Sequence, residues 1–119
     1  MRIKGKLSPE YVKYSTFEIT DEATKYVLKI NGFSGNVTFN PRGLDYNNNR
    51  PFSTIDADND KWSGNCASKR GDGGWWYDIC SHVQFNSQYK FTKSDGEIFW
   101  YFNDRIQPEF VEMKMRRNL

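Results

Sequence analysis

The sequence predicts a β-rich α+β domain with a large irregular lobe. Aromatic residues make up 17% of the 119 positions, and such residues favour strands and flat contact surfaces. Short segments of alternating apolar and polar character recur at both ends of the chain, separated by runs rich in Asn, Asp, Gly and Pro. No long segment carries the helical spacing of apolar residues. The length fits one domain spanning residues 1–119.

Residues 11–19, YVKYSTFEI, read as a strand with Tyr11, Phe17 and Ile19 on one face. The polar TDEATK that follows is turn-like. Residues 25–30, KYVLKI, form a second strand in which Tyr26, Leu28 and Ile30 alternate with Val27 and Lys29. So short a connection pairs the two strands as a hairpin. Asn31-Gly32 and Gly35-Asn36 then break the pattern. From Asn40 to Arg50 the composition predicts irregular loop with at most one helical turn. Residues 97–102, EIFWYF, read as a strand or a packed extended segment. In 110–116, FVEMKMR, the alternation of Val111, Met113 and Met115 with charged residues predicts a half-buried strand closing a sheet.

The chemistry is concentrated between Asp56 and Cys80, DADNDKWSGNCASKRGDGGWWYDIC. Asp56, Asp58 and Asp60 alternate, and Gly64 follows. Calcium takes several oxygen ligands from carboxylates, carbonyls and water, which such a loop can supply. The pattern is not an EF-hand: Lys61 stands where that loop needs glycine, and Ala67 where it needs glutamate. The same residues also suit a solvated polar turn. Cys66 and Cys80 either bridge or stay as two buried thiols; a bridge over so short a loop contributes roughly 3 kcal/mol. Trp75 and Trp76 point to opposite faces if extended, so that one packs inward and the other lines a surface, unless both are simply core. Gly71, Gly73 and Gly74 permit close backbone approach or positive φ.

A net charge of +2 gives no argument for nucleic acid. No apolar run is long enough to span a bilayer. The first residues lack the apolar stretch of a signal peptide, which by itself points to the cytosol, whereas paired cysteines in a loop-rich domain point to an oxidising compartment. Two cysteines alone make no structural zinc site, and His82 is the only histidine. With no Ser or Cys nucleophile in register with it, no enzyme is expected. Asn36-Val37-Thr38 is a glycosylation acceptor if the chain is secreted, or a chance triplet.

The run FSTIDADNDKWSGNCA…GGWWYDIC, with YSTFEI and KYVLKINGFSGN before it and VEMKMRR after it, resembles the fibrinogen C-terminal (fibrinogen-related) domain. The likeness extends from about Tyr11 to Arg117 and corresponds to the C-terminal half of the longer family domain, so the chain reads as a truncated domain, either a fragment or a naturally short form. The resemblance implies a partial central sheet beside a loop-rich lobe that binds calcium and ligand. It implies a calcium ion held by the side chains of Asp58 and Asp60 and the carbonyls of Trp62 and Gly64, and a Cys66–Cys80 disulfide. It further implies a cis peptide at Ile79–Cys80 that turns the N–H groups of Cys80 and Ser81 toward a ligand. The corresponding ligand-binding residues are Cys80, Ser81, His82, Arg70, Trp76 and Asp95. Ser81 stands where lectin members commonly place histidine, with His82 one position later. Lys93 and Ser94, not tyrosine, precede the Asp95-Gly96 turn. Two functions follow from the resemblance. One is a secreted, calcium-stabilised module binding carbohydrate or acetylated glycans, as in innate-immune lectins. The other is a protein-interaction module for a receptor, where Asp95 would meet a basic partner. Homo-oligomerisation in a full-length protein and an incomplete domain without activity of its own are further expectations.

Overall fold

The computed structural model describes residues 1–37, 41–88, 98–102 and 104–117; for residues 41, 42, 101, 102 and 104–106 only the backbone is described. The elements in chain order are β1 (Val12–Ile19), a 3-10 turn (Glu22–Thr24), β2 (Leu28–Gly35), a 3-10 helix (Pro41–Asn47), the short helix α1 (Cys66–Lys69), β3 (Val83–Gln84), β4 (Phe99–Phe102) and β5 (Asp104–Ile106).

The hairpin expected at the N-terminal end is present. β1 and β2 pair antiparallel, from Val12 opposite Gly35 to Ile19 opposite Leu28. Their connection is fixed by Asp21, whose Oδ1 accepts from the Thr24 N–H at 3.1 Å, and by Lys25 and Tyr26 at φ 66° and 55°. Those left-handed residues end the turn, so β2 starts later than the alternation suggested, and Tyr26 is exposed outside it. β2 also continues through Asn31-Gly32, where a break was expected. Gly32 takes φ +71° within the strand, and a Cβ there would lie 1.8 Å from the Ser15 hydroxyl oxygen. At that one position glycine keeps the ribbon continuous while changing which face is covered. On β1, accordingly, Val12, Tyr14 and Phe17 are half-buried, whereas Tyr11 and Ile19 are exposed. Of Tyr11, Phe17 and Ile19, which the sequence reading put on one face, only Phe17 is half-buried.

The outer edge of β2 is covered by a segment that composition marks only as loop. The Leu28 N–H donates to the Arg50 carbonyl and its own carbonyl accepts from the Asn49 N–H. The Asn48 side chain accepts from the Ile30 N–H at 2.9 Å and donates to the Ile30 carbonyl at 3.2 Å, taking the place of a third strand. The 3-10 helix before it runs seven residues, somewhat more than the single turn expected.

A second sheet has the order β3-β4-β5, all antiparallel. β4 realises the expected strand in 97–102. The expected strand over 110–116 does not form: Phe110 makes one bridge to Arg2, and residues 111–117 have no regular structure. No sheet edge is offered to this segment among the described residues, so alternation alone cannot make it a strand. Met113 and Met115 are exposed, and Val111 lies along an apolar groove with Phe17, Phe52, Trp75, Trp76 and Phe85.

The core joins the two sheets. Trp76 packs edge-on to Phe17 of the hairpin and to Phe52, and Trp75 continues through Phe85 to Trp100 of β4. Both adjacent tryptophans are buried, Trp75 at 2% and Trp76 at 7% exposure, because covering layers exist on both sides of the segment. The Trp76 indole N–H donates to the Tyr26 carbonyl at 3.0 Å.

Candidate functional site

The aspartate loop is folded from both ends. Ser53 and Trp75 exchange backbone hydrogen bonds at 2.9 and 3.1 Å, while the Asn59 N–H donates to the Ser53 hydroxyl and the Asn59 amide to the Phe52 carbonyl. Asp56 belongs to the turn that precedes the site: its Oδ1 accepts from the Thr54 hydroxyl at 2.7 Å, a bond that holds its carboxyl below the usual range. Asp58 and Asp60 sit together further along. The Asp60 N–H donates to Asp58 Oδ1 at 3.2 Å. Asp60 itself accepts from the Trp62 N–H through Oδ1 and from the Cys66 N–H through Oδ2, each at 2.9 Å. Desolvation and, next among the opposing influences, the Asp58 carboxyl raise the Asp60 carboxyl above its ordinary value, against the two N–H donors.

Two hard carboxylates thus face one another, in a loop whose backbone carbonyls are the other available oxygens. That donor chemistry suits calcium. Asp58 and Asp60 would hold the ion through carboxylates, with the Trp62 and Gly64 carbonyls completing the set that the resemblance implies. No cluster of three or more His, Cys, Asp or Glu side chains able to hold a metal occurs among the described residues, so backbone oxygens and water would have to contribute. Gly64 leaves room for the Trp62 ring: a Cβ there would lie 2.5 Å from it.

Cys66 opens α1, whose N-cap is Asn65; the Asn65 side chain accepts from the Ser68 N–H. Cys66 and Cys80 are bridged, with Cα atoms 5.5 Å apart. The bridge carries the aspartate loop against segment 78–82, and the Lys61 N–H donates to the Asp78 carbonyl at 3.1 Å. The expected cis peptide at Ile79–Cys80 is not found: all peptide bonds among the described residues are trans. A trans bond avoids about 3–4 kcal/mol, and the chain bends here by a hydrogen bond from the Asp78 N–H to the Cys80 carbonyl.

Beyond the bridge, Ser81 turns inward. It is buried, and its hydroxyl donates to Gln84 Oε1 at 3.2 Å. The fully buried Gln84 amide donates in turn to the Arg70 carbonyl and the Ser87 hydroxyl, both at 2.6 Å. Gln84 therefore ties segment 81–87 to the end of α1. His82 is half-buried and stacks on Tyr46, with ring centroids 4.0 Å apart and planes 12° from parallel. Desolvation and then the Arg70 guanidinium lower its pKa. Tyr46 is held by donating its hydroxyl hydrogen to the Ile79 carbonyl at 3.0 Å.

Of the residues singled out by sequence, Cys80, Ser81, His82 and Arg70 come together. Trp76 lies in the core, between Phe17 and Phe52, and reaches the apolar groove. Asp95 lies outside the described residues, as does Thr38 of the sequon. Asn36 is exposed, and its side chain accepts from the Tyr11 N–H at 2.7 Å. Tyr46 and Gln84 carry the site but had no signal: Tyr46 is 36 positions from His82 and sits in an Asn-rich run that reads as loop.

The family profile described as fibrinogen beta and gamma chains, C-terminal globular domain, matches residues 4–118. Fibrinogen-like protein A of Apostichopus parvimensis is 39% identical over 110 residues, covering 89% of this chain and 38% of that protein. Tenascin-R of Rattus norvegicus is 36% identical, covering 89% of this chain and 8% of its own length. Among solved structures, the fibrinogen-like globe domain of human ANGPTL2 superposes with a TM-score of 0.71 at 26% identity, covering 91% of this chain and 55% of that one. The chain therefore spans well under half the length of these curated relatives.

Proposed function

This chain belongs to the fibrinogen C-terminal domain family, and on that premise we propose that it is an extracellular recognition module, stabilised by calcium in the 58–64 loop, that binds a polypeptide ligand on the surface formed by Arg70, Tyr46 and His82. The observation that carries the proposal is the polar character of that surface. The Ser81 hydroxyl is satisfied internally by Gln84, and desolvation and then the Arg70 guanidinium lower the pKa of the histidine. A guanidinium and an imidazole suit charged and hydrogen-bonding groups of a protein better than the apolar walls a methyl group needs. The Cys66–Cys80 bridge supports the extracellular setting. Calcium's role is to fix the loop whose far end is bridged to the ligand segment, with no need to touch the ligand.

Carbohydrate or acetylated ligands are the second reading. The flat face of the Tyr46–His82 stack favours it, since such a pair offers an apolar surface with polar edges.

One set of thermal melts on the oxidised protein separates these readings. Calcium at 100-fold excess over its Kd is expected to stabilise by about 2.7 kcal/mol relative to chelator, and Asp60→Asn is expected to remove the shift. An unchanged midpoint in calcium would defeat the metal assignment. With calcium present, a further rise with N-acetylglucosamine favours the carbohydrate reading. A rise with a Glu-rich peptide, lost in Arg70→Ala and His82→Ala, favours the polypeptide reading.

A further inference from the structure

We propose that two copies of this chain pair by reciprocal strand addition: segment 111–117 of each copy adds to the outer edge of β1 in the other and seats Met113 and Met115 in its aromatic groove. The proposal depends neither on calcium nor on the ligand surface around His82. It starts from a segment whose strand-like alternation finds no strand to pair with among the described residues. The chain is fastened as far as residue 110, where the Arg2 N–H donates to the Phe110 carbonyl and the Glu109 N–H to the Arg2 carbonyl, both at 2.8 Å. Past that clamp, residues 111–117 make no backbone hydrogen bond among the described residues. Lys114 meets Glu112 at 2.9 Å, the two-residue spacing at which side chains of an extended chain share a face. Val111, Met113 and Met115 take the opposite face.

The receiving surface lies on the hairpin. β2 has its outer edge closed by Asn48, Asn49 and Arg50, whereas no strand other than β2 pairs with β1 among the described residues. An eight-residue strand at a sheet edge presents backbone groups that template pairing with another chain. Beside it, a groove of about 360 Å³ brings Phe17 of β1 and the tryptophan pair together with Met113 and Met115, which remain 47% and 72% exposed. Groove and projecting methionines thus occupy one face, and that is the self-complementary surface a two-fold pair needs. Methionine suits the role, since its unbranched side chain adapts to irregular apolar gaps and its sulfur favours aromatic rings. The areas agree. The chain exposes about 1,000 Å² more than a compact chain of its mass, and a stable interface covers roughly 800 Å² per partner. The groove shares no residue with Arg70, Tyr46 or His82, so the pair carries two recognition surfaces and gains avidity for a multivalent ligand.

Sedimentation equilibrium of the oxidised 119-residue chain reads the association directly. A reversible monomer–dimer equilibrium is expected; a monomer at every concentration up to about 1 mM overturns the proposal, and so does an open series of larger oligomers. Met113→Lys/Met115→Lys alters two exposed side chains outside the core, and near-ultraviolet circular dichroism of the tryptophans follows its fold. Dimerisation is expected to weaken at least about tenfold in this variant, because each lysine would be buried without a partner. An undiminished dimer overturns the proposal. Hydrogen exchange read by mass spectrometry needs no variant and locates the contact. Between dilute and concentrated protein, exchange is expected to slow in peptides covering 12–19 and 111–117. A dimer that protects other segments and leaves these two unchanged overturns the pairing.

Discussion

His82 shows how a single residue's behaviour comes from what the fold places around it. In the sequence it is a lone histidine next to a serine. In the structure it is stacked on Tyr46 and faces the charge of Arg70, and burial together with that charge lowers its pKa. The folded state thus binds a proton at His82 less readily than the unfolded chain. Its contribution to stability is present above the unfolded value of about 6.5 and is lost as pH falls through the lower folded value. The melting temperature is expected to fall between pH 7.5 and pH 5, and His82→Gln is expected to flatten that dependence. A variant with the wild-type pH profile would show that other groups govern it. Asp60 is the opposite case at this scale: its alternation with Asp58 was visible in the sequence, but the donors that aim it, Trp62 and Cys66, are backbone groups that no side-chain pattern reveals.

At the scale of elements, the hairpin was legible because two alternating segments flank a short polar connection. Its boundaries were not. The left-handed residues Lys25 and Tyr26 delay β2, and Gly32 carries it past an Asn-Gly pair that ordinarily marks a turn. The run Asn47-Asn48-Asn49 was read as loop from its composition. It is a fastening instead: Asn47 donates to the Trp76 carbonyl, Asn48 bonds both backbone groups of Ile30, and Asn49 accepts from Lys29. Asn48→Ala leaves both Ile30 groups without that partner at the sheet edge and is expected to cost roughly 1–3 kcal/mol in chemical denaturation. A cost near zero would mean that water replaces the amide there. The 110–116 segment illustrates the reverse error, since its strand-like alternation has no strand to pair with among the described residues.

On the scale of the whole molecule, the chain forms a flat body of 42 × 41 × 22 Å that exposes 7755 Å², where a compact chain of this mass exposes roughly 6,700 Å². The core is correspondingly thin, and its continuity depends on the aromatic chain from Phe17 through Trp76 and Trp75 to Phe85 and Trp100. Because that chain joins both sheets, tryptophan fluorescence and far-ultraviolet circular dichroism are expected to report one denaturant midpoint. Separate midpoints would mean that hairpin and lobe unfold independently.

By itself the sequence determined the β-rich class, the hairpin and the family. These depend on local alternation, turn chemistry and a motif confined to one short stretch. Only the tertiary structure decided that both tryptophans are core, that segment 78–80 clamps the aspartate loop, and that Tyr46 and Gln84 build the surface around His82. Those results depend on contacts between residues far apart in the chain, and burial and hydrogen-bond partners at such distances leave no periodic trace in the sequence.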